Sequence, residues 1–249
     1  MNSIVCMKRV PDSGARIEIE SDGRSIDTSG IKFVMNPFDE YALEQALLLK
    51  EQAGEGRVTA LTLGPDAARD TLRSALAIGA DDAVLLRAEP SMDGLVVARA
   101  LADAIRGRDF DLVLFGKQAI DNDNRQVPAM VAELLELPCA TVVTSLEFDG
   151  RQGTARREVE GGHEVIEFDL PAVVSAEKGL NKPRHPSVKG IMMAKKKPLE
   201  EIDVELADSG LELLEISSPP ARPEPQIVGK GPDAVTELVR LLRDEAKVI

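Results

Sequence analysis

Residues 111–137, DLVLFGKQAIDNDNRQVPAMVAELLEL, predict a strand, a polar loop and a helix in succession. The continuous apolar run of residues 112–115 is typical of a strand that is buried on both faces of a parallel sheet. Pro128 is tolerated only in the first turn of a helix, so the helix must begin near residues 123–127. We therefore expect the loop 116–126 to join the end of a strand to the start of a helix.

A loop at the carboxyl end of a parallel strand is where ligands bind in open α/β sheets. The unpaired N–H groups in the first turn of the following helix favour an anion, so the sequence predicts a phosphate at this loop. A plain polar connection, in which Asp and Asn side chains cap the helix, accounts for the same residues. Evidence from other parts of the chain is needed to choose between these two interpretations.

Strands and helices alternate in the same way along the first half of the chain. Strands are predicted at residues 3–7, 57–63 and 83–86, and helices at residues 37–52, 66–78 and 92–106. Strands separated by helices of this length predict an α/β fold with a doubly wound, mainly parallel sheet. The glycine-rich sequences of dinucleotide-binding Rossmann folds and of P-loops occur at none of the strand–helix joins, so a phosphate must be bound by other chemistry.

A second helix start that favours an anion is predicted at Met35-Asn36-Pro37-Phe38-Asp39-Glu40. Asn36 is a good N-cap residue, and Pro37 suits the first helical position. Asp39 can fold back towards the cap, as in a capping box.

After Pro138 the pattern predicts an antiparallel extension of the sheet. Residues 141–148, 153–159 and 164–168 are separated by Asp149-Gly150 and Gly161-Gly162, which predict hairpin turns. Residues 170–175 predict one more buried strand, and a shorter hairpin is predicted within residues 15–32.

The last part of the chain begins with a long loop at residues 176–198, in which Val188 and Ile191 stand exposed among basic residues. Such a loop can dock on a partner through an apolar tip, whereas a flexible linker with solvated lysines is the alternative. Residues 200–216 are acidic and only weakly patterned, and the Pro-rich residues 217–225 predict an extended connector. Residues 233–248 predict a final amphipathic helix, which must pack on the sheet or on another chain.

The composition excludes several classes of function. The net charge of −13 and the pI near 4.7 argue against a nucleic-acid-binding surface, which needs a basic footprint. Cys6 and Cys139 are too few for a disulfide framework or a cysteine-ligated metal site, which suits a reducing compartment. Because no apolar run of about 18 residues and no signal peptide occur, we expect a soluble, cytoplasmic protein.

Five motifs, in this order along the chain, resemble the β subunit of electron-transfer flavoprotein. They are Val5-Cys6-Met7-Lys8-Arg9-Val10, Met35-Asn36-Pro37-Phe38, Gly64-Pro65, Gly116-Lys117-Gln118-Ala119-Ile120-Asp121 and residues 176–197. The resemblance implies an electron carrier rather than an enzyme, in a heterodimer with an α subunit that makes most of the FAD contacts. The redox chemistry is then the flavin's, which agrees with the lack of any catalytic or metal-binding constellation in the sequence.

The resemblance also implies a structural AMP, bound by the first strand, the Asn-Pro-Phe turn and the Gly-Lys-Gln loop. The corresponding cofactor-binding residues are Cys6, Asn36, Pro37, Phe38, Asp39, Leu63, Gly116, Lys117, Gln118, Ala119, Ile120, Asp121, Asn122, Asp123, Asn124, Arg125, Gln126 and Val127. Phe38 matches an aromatic residue that approaches the ring of the FAD shared with the α subunit. Two of these segments are also those that the helix-start argument selects.

Partners are implied as well. Val188, with Ile191 on the same loop, matches the apolar anchor of the family's recognition loop, which holds flavoprotein dehydrogenases. The mammalian-type anchor is Leu, which is larger by one methylene, or about 0.8 kcal/mol of burial. Glu158 matches an acid that pairs with an α-subunit arginine when the flavin domain moves. Electrons are expected to pass from the dehydrogenases towards a membrane quinone oxidoreductase, without insertion of this chain into the membrane.

Three alternatives remain at this point. Bifurcating members of the family bind a second FAD where others bind AMP, and they tend to have small residues in the nucleotide loop, where Asn124 and Arg125 stand here. An adenine-nucleotide hydrolase or ligase of related fold would turn its nucleotide over, and a regulatory AMP sensor would work without a partner. We favour an AMP-binding domain at residues 1–210, with its recognition loop at 176–198, followed by an arm at residues 211–249 that packs on the partner subunit.

Overall fold

Strands and helices alternate along most of the chain in the computed structural model, which describes residues 1–89, 91–220 and 224–249. The strands are β1 (Ser3–Cys6), β2 (Arg9–Pro11), β3 (Glu18–Ile19), β4 (Ile26–Asp27), β5 (Phe33–Met35), β6 (Val58–Gly64), β7 (Asp82–Arg87), β8 (Leu112–Gly116), β9 (Cys139–Asp149), β10 (Gln152–Val159), β11 (Gly162–Asp169), β12 (Ala172–Ala176) and β13 (Leu199–Asp203). The α-helices are α1 (Pro37–Ala53), α2 (Arg69–Ile78), α3 (Gly94–Ile105), α4 (Val127–Leu135), α5 (Val188–Ala194) and α6 (Val235–Arg240).

A nine-stranded sheet has the order β11-β10-β9-β12-β8-β1-β6-β7-β13. β10 pairs antiparallel with both of its neighbours, whereas the other neighbouring strands in this sheet pair in parallel. The first strand, β1, lies inside the sheet, with β6 on one side and β8 on the other. The predicted doubly wound, mainly parallel sheet with an antiparallel extension is confirmed.

Helices cover both faces of this sheet. On one face, α1 and α2 bury Leu43 and Leu72 against the strands, and on the other face α3 and α4 bury Leu101 and Val131 in a separate core. Burial of each Leu contributes about 1.5–3 kcal/mol, so the two cores hold the helices in place on the sheet. Because β8 is buried at every position, its sequence is a continuous apolar run rather than an alternating one.

The strand, loop and helix predicted at residues 111–137 are confirmed as β8, the following loop and α4. Helix α4 begins at Val127 with Pro128 in its first turn, as the missing N–H of proline requires. The hairpins β3–β4 and β9–β10–β11 are confirmed too. Gly150 and Gly161, at the two turns of the larger meander, have φ values of 59° and 82°, which favour glycine.

Three segments differ from the predictions. Residues 188–194, expected in an open loop, form α5, and residues 199–203 form the edge strand β13 beside β7. The predicted final helix is divided into a 3-10 turn at Pro232–Ala234, helix α6 and a π-helical turn at Leu241–Glu245. Residues 221–223 of the predicted connector lie outside the described residues.

The chain after β13 has little regular structure. Residues 204–220 and 224–231 form neither helix nor strand. The domain boundary expected near residue 210 stays a prediction. Within the described ranges, no helix is both long enough and apolar enough to cross a bilayer.

Candidate functional site

A pocket opens at the carboxyl ends of β1 and β8, between the first turns of α3 and α4. Cys6 and Lys8 line it from β1 and the residues after it, Phe115 and Lys117 from β8 and its loop, and Val97 from α3. From β1 the chain crosses to β6, on one side, whereas β8 lies on the other side of β1. The pocket therefore occupies the point where the winding of the sheet reverses, which is where open α/β sheets bind ligands.

The carboxylate of Asp39, in the first turn of α1, joins three segments at the floor of this pocket. Its Oδ2 accepts a hydrogen bond from the Lys8 N–H at 2.7 Å, and its Oδ1 accepts from the Gly116 N–H at 3.1 Å and from Asn36 Nδ2 at 2.9 Å. Burial raises the pKa of the Asp39 carboxyl to about 7, although the three hydrogen bonds favour its ionised form. Asp39 thus fixes the ends of β1 and β8 relative to α1.

The side chain of Asn36 holds the loop after β8. Its Nδ2 also donates to the Gln118 carbonyl oxygen at 2.8 Å, and its Oδ1 accepts from the Ile120 N–H at 3.2 Å. Asn36 stands at the N-cap position of α1 but makes no side-chain cap bond, so the predicted capping box is wrong. Its side chain is used instead to satisfy backbone groups of a distant loop. The acidic group at this helix start is the chain's own Asp39.

The first turn of α4 presents N–H groups to the pocket. Asp123 and Arg125 have left-handed φ values of 50° and 57°, and Gln126 follows with helical φ and ψ of −95° and −39°. A left-handed residue followed by a right-handed one turns successive N–H groups towards one side, which forms a concavity for anions. Among the described residues, no acceptor pairs with the N–H groups of Arg125, Gln126 and Val127. They are available to a phosphate.

Charged side chains border the pocket in pairs. Lys8 Nζ lies 2.6 Å from Asp121 Oδ2, and Lys117 Nζ lies 2.5 Å from Glu177 Oε2. The Lys117 ammonium also lies 4.6 Å from the centre of the half-buried Phe38 ring, within reach of a cation–π contact.

The side chain of Gln118 ties the loop to the start of α4. Its amide nitrogen donates to Asp123, and its oxygen accepts from the Arg125 guanidinium. These bonds hold the two residues that have left-handed φ values.

Closely packed neighbours leave no room for a side chain at Gly116, the last residue of β8. A Cβ at this position would lie 2.4 Å from Asp39 Oδ1 and 2.6 Å from the Phe38 carbonyl carbon. Only glycine allows β8 to approach α1 so closely. Cys6 is also buried, and burial raises the pKa of its thiol well above the ordinary value, so it lines the pocket as a small apolar residue.

Most of the residues predicted to bind a cofactor lie together in this pocket. Its lining includes Cys6, Asn36, Asp39, Leu63, Gly116, Lys117, Gln118, Ala119, Asn122, Asn124, Arg125, Gln126 and Val127. Other predicted residues are near in sequence but do not line it, namely Pro37, Phe38, Ile120, Asp121 and Asp123. The sequence does not predict one wall of the pocket, because it assigns Met92, Gly94, Val97 and Leu101 only to a helix and Ser91 to no element. The position of Ser91 after a predicted parallel strand was the signal that could have indicated it.

The predicted recognition loop at residues 176–198 is fastened to the body of the protein. The Arg184 guanidinium is paired with Glu44 and Glu51 of α1. At the other end, Lys197 Nζ donates to the carbonyl oxygens of Leu76 and Ala80, at 3.0 and 2.6 Å, at the end of α2. These contacts do not fit a flexible linker.

Helix α5 presents apolar side chains outward from this fastened loop. Val188 is 78% exposed and Ile191 53% exposed, whereas Ala194 is buried. Glu158 is exposed near the end of β10, opposite His163 of β11, and is not part of the pocket lining. No cluster of three potential metal ligands occurs in the part of the chain that the structure describes.

Comparison with known proteins agrees with this architecture. A family profile described as "Electron transfer flavoprotein domain" matches residues 24–207. The chain belongs to the electron transfer flavoprotein family. Among its relatives, the electron transfer flavoprotein subunit beta of Bacillus subtilis is 43% identical over 260 aligned positions that cover both chains completely. The subunit of the same name from Syntrophomonas wolfei is 40% identical, with 98% of this chain and 97% of the relative aligned.

The similarity extends to eukaryotes. The mitochondrial electron transfer flavoprotein subunit beta of Arabidopsis thaliana is 38% identical over the full length of both chains. The resemblance to the β subunits of the electron transfer flavoprotein family, based on five motifs, is thereby confirmed.

Proposed function

We propose that this chain is the β subunit of a heterodimeric electron-transfer flavoprotein that binds a structural AMP in the pocket between α3 and α4. One observation carries the proposal: Arg125, Gln126 and Val127 line a pocket at the reversal point of the sheet, and their backbone N–H groups have no acceptor within the described ranges. Arg125, Gln126 and Val127 would hold the phosphate. The apolar side chains of Val97 and Leu101 offer a wall for the adenine ring.

The chain has no role in bond making or breaking under this proposal. FAD, held between this chain and an α subunit, would supply the redox chemistry, with flavoprotein dehydrogenases as the electron donors and a membrane quinone oxidoreductase as the acceptor. Phe38 would approach the flavin from this side, and the Lys117 ammonium above its ring supports a fixed orientation. Glu158, exposed near the end of β10, would pair with an arginine of the α subunit.

AMP is favoured over a second FAD by the side chains of the nucleotide loop. Asn124 and Arg125 both line the pocket, and the guanidinium of Arg125 is held by Gln118. These side chains occupy space that a diphosphate and a flavin ring would need. The paired Lys8 and Lys117 leave the backbone N–H groups as the principal donors, which suits one phosphate.

The loop 176–198 is proposed to select the dehydrogenases. Its anchoring through Arg184 and Lys197 places Val188 and Ile191 at a fixed position on the surface. An apolar side chain that is already held in place loses little conformational entropy when a partner buries it. The cytoplasm stays our proposal for the location, supported by the two free cysteines.

The proposal is tested by identifying the nucleotides. The chain is co-expressed with its α subunit, the purified complex is denatured, and the released nucleotides are identified by mass spectrometry. One FAD with one AMP is the expected result. Two FAD without AMP would make the bifurcating type the correct assignment, and Mg²⁺-dependent turnover of the nucleotide would indicate a hydrolase or ligase. The α subunit expressed alone is the control that assigns each nucleotide to its chain.

A further inference from the structure

The carboxylate of Asp93 joins the residues just before the C-terminal arm to the wall of the pocket. Asp93 is 7% exposed, and its Oδ1 accepts a hydrogen bond from the Leu95 N–H at 2.9 Å, which caps α3. Its Oδ2 accepts from the Gly210 N–H at 2.9 Å and from the Ser209 hydroxyl at 3.3 Å. One carboxylate therefore holds both a helix start and a segment more than a hundred residues later in the chain.

The helix start held by Asp93 touches the proposed phosphate site. Gly94 and Val97 line the pocket. A Cβ placed on Gly94 would lie 3.5 Å from Gln126 Oε1 and 3.7 Å from Val127 Cγ2. The first turn of α3 thus lies against the start of α4, and a shift of α3 would move the residues that we propose to hold the phosphate.

Residues 209–216, which we call the strap, run from Asp93 to the β3–β4 hairpin. The Ile216 N–H donates to the Gly23 carbonyl oxygen at 2.7 Å at the far end. Leu211 and Leu214 are 65% and 71% exposed. The strap has no helix or strand of its own, so these few hydrogen bonds fix it, and it presents two apolar side chains to solvent.

We propose that Asp93 is a positioning residue that couples docking of the α subunit on the strap to retention of the nucleotide in the pocket. The inference rests on the proposed function. Residues 211–216 of the strap are also the first residues of the arm that we expect to pack on the α subunit, so the same partner is the occupant of Leu211 and Leu214. A partner that covers them holds Gly210 against Asp93, and Asp93 holds α3 against α4. By thermodynamic linkage, the bound nucleotide strengthens docking by the same factor.

The experiment measures exchange of bound AMP for isotope-labelled AMP in the purified heterodimer. Asp93→Asn keeps an oxygen that accepts from the Leu95 N–H, because Asn is an equally good N-cap. The Gly210 N–H, however, then meets an amide nitrogen, which cannot accept a hydrogen bond. We expect exchange to become about tenfold faster, the effect of losing a hydrogen bond to a charged group. FAD content should not change, and the melting temperature of the AMP-saturated complex should fall no further than in the control variant, which also loses the charge of a hydrogen-bonded carboxylate. Asp27→Asn is the matched control, because this carboxylate accepts hydrogen bonds from the N–H and the hydroxyl of Ser29, two residues further along the chain.

Two further variants separate coupling from a local effect. Gly210→Pro removes the donor from the strap and leaves Asp93 intact, so it should accelerate exchange to the same extent. Leu214→Ser should weaken docking and accelerate exchange in the wild-type background, yet add little in the Asp93→Asn background.

Unchanged exchange in both Asp93→Asn and Gly210→Pro would overturn the inference, and so would acceleration that occurs only together with FAD loss and a melting temperature below that of the control variant. Release of a second FAD from the wild-type complex would overturn the AMP assignment alone, and exchange against labelled FAD then tests Asp93 in the same way. A wild-type complex that releases only the shared FAD would overturn both.

Discussion

At the residue scale, Asp39 combines a structural task with an unusual protonation state. Its carboxylate accepts three hydrogen bonds, from Lys8, Asn36 and Gly116, while it is only 5% exposed. The hydrogen bonds favour the charged form and burial opposes it, with burial as the larger effect. The geometry of the pocket floor therefore depends on a group that changes its charge near neutral pH.

We expect Asp39 to make stability depend on pH between about 4 and about 7. In that window the folded protein keeps a proton that the unfolded chain, with its ordinary pKa of 3.8, has released. The free energy of unfolding should therefore fall as the pH rises, by up to about 4 kcal/mol, and should level off above pH 7. Asp39→Asn cannot titrate, so its stability should be flatter between pH 5 and pH 8.

Thermal unfolding of the two proteins across this range provides the measurement. Asp22→Asn serves as control, because hydrogen bonds lower the pKa of the exposed Asp22 carboxyl, so it stays charged throughout. Parallel curves for the wild type and Asp39→Asn would contradict the expectation.

At the scale of single elements, the loop 176–198 is held by hydrogen bonds to α2 and to the residues just after it. Besides the Lys197 bonds, the Arg73 guanidinium of α2 donates to the Ala194 and Lys197 carbonyl oxygens, at 2.7 and 3.1 Å. A Cβ on Gly190 would lie 2.2 Å from the Ala77 carbonyl oxygen, so α5 packs directly on the end of α2. The three consecutive lysines therefore differ in role. Lys197 is structural, whereas Lys195 and Lys196 are exposed.

Lys197→Ala should lower the free energy of unfolding by about 1–3 kcal/mol. It leaves the carbonyl oxygens of Leu76 and Ala80 without their charged donor, and burial lowers the pKa of this lysine because its ammonium is partly removed from water. Lys196→Ala, its exposed neighbour, should change stability by less than about 0.5 kcal/mol. Equal stabilities in a denaturant titration of the two variants would show that the anchor contributes nothing.

Val188→Ala should slow electron transfer from a partner dehydrogenase about tenfold. The change removes two carbon atoms from the proposed anchor, or about 1.6 kcal/mol of apolar burial in the complex. Stopped-flow reduction of the bound flavin measures this rate, and FAD and AMP content should be unchanged. Val165→Ala, an exposed valine on β11, is the control. Wild-type rates for Val188→Ala would count against the anchor.

The elements that sequence predicted correctly are those whose pattern is set locally. The run at residues 112–115 and the proline after it determine β8 and the start of α4 without reference to other parts of the chain. The task of Asn36 could not be predicted, because its acceptor and donor are backbone groups of a loop 82 and 84 positions away. Helix α5 was missed because it is only seven residues long and contains a glycine. Strand β13 was missed because it lies at the edge of the sheet. Its acidic residues are exposed there, so it lacks the apolar pattern of a buried strand.

At the scale of the whole molecule, the C-terminal arm is held mainly through the strap. Beyond it, Ile227, Val235 and Leu238 are exposed although they are apolar. Apolar side chains exposed along an irregular segment indicate a surface that another chain covers.

Deletion of residues 217–249 should therefore weaken the heterodimer but leave the pocket intact. The strap and its bonds to Asp93 and Gly23 remain in the shortened chain, so its fold should be retained. Co-purification with a tagged α subunit, with the melting temperature as the measure of folding, tests this. Recovery of the shortened chain at the full wild-type yield would contradict the expected weakening of the heterodimer.

The central position of β1 has a consequence for biosynthesis. Its residues Ser3–Cys6 pair with residues 58–61 of β6 on one side and 112–114 of β8 on the other. During synthesis, both edges of β1 can therefore be paired only after residue 114 has left the ribosome. Contacts of such long sequence separation make folding slow, and an unpaired edge invites aggregation. This is the interval in which a chaperone would shield the nascent protein.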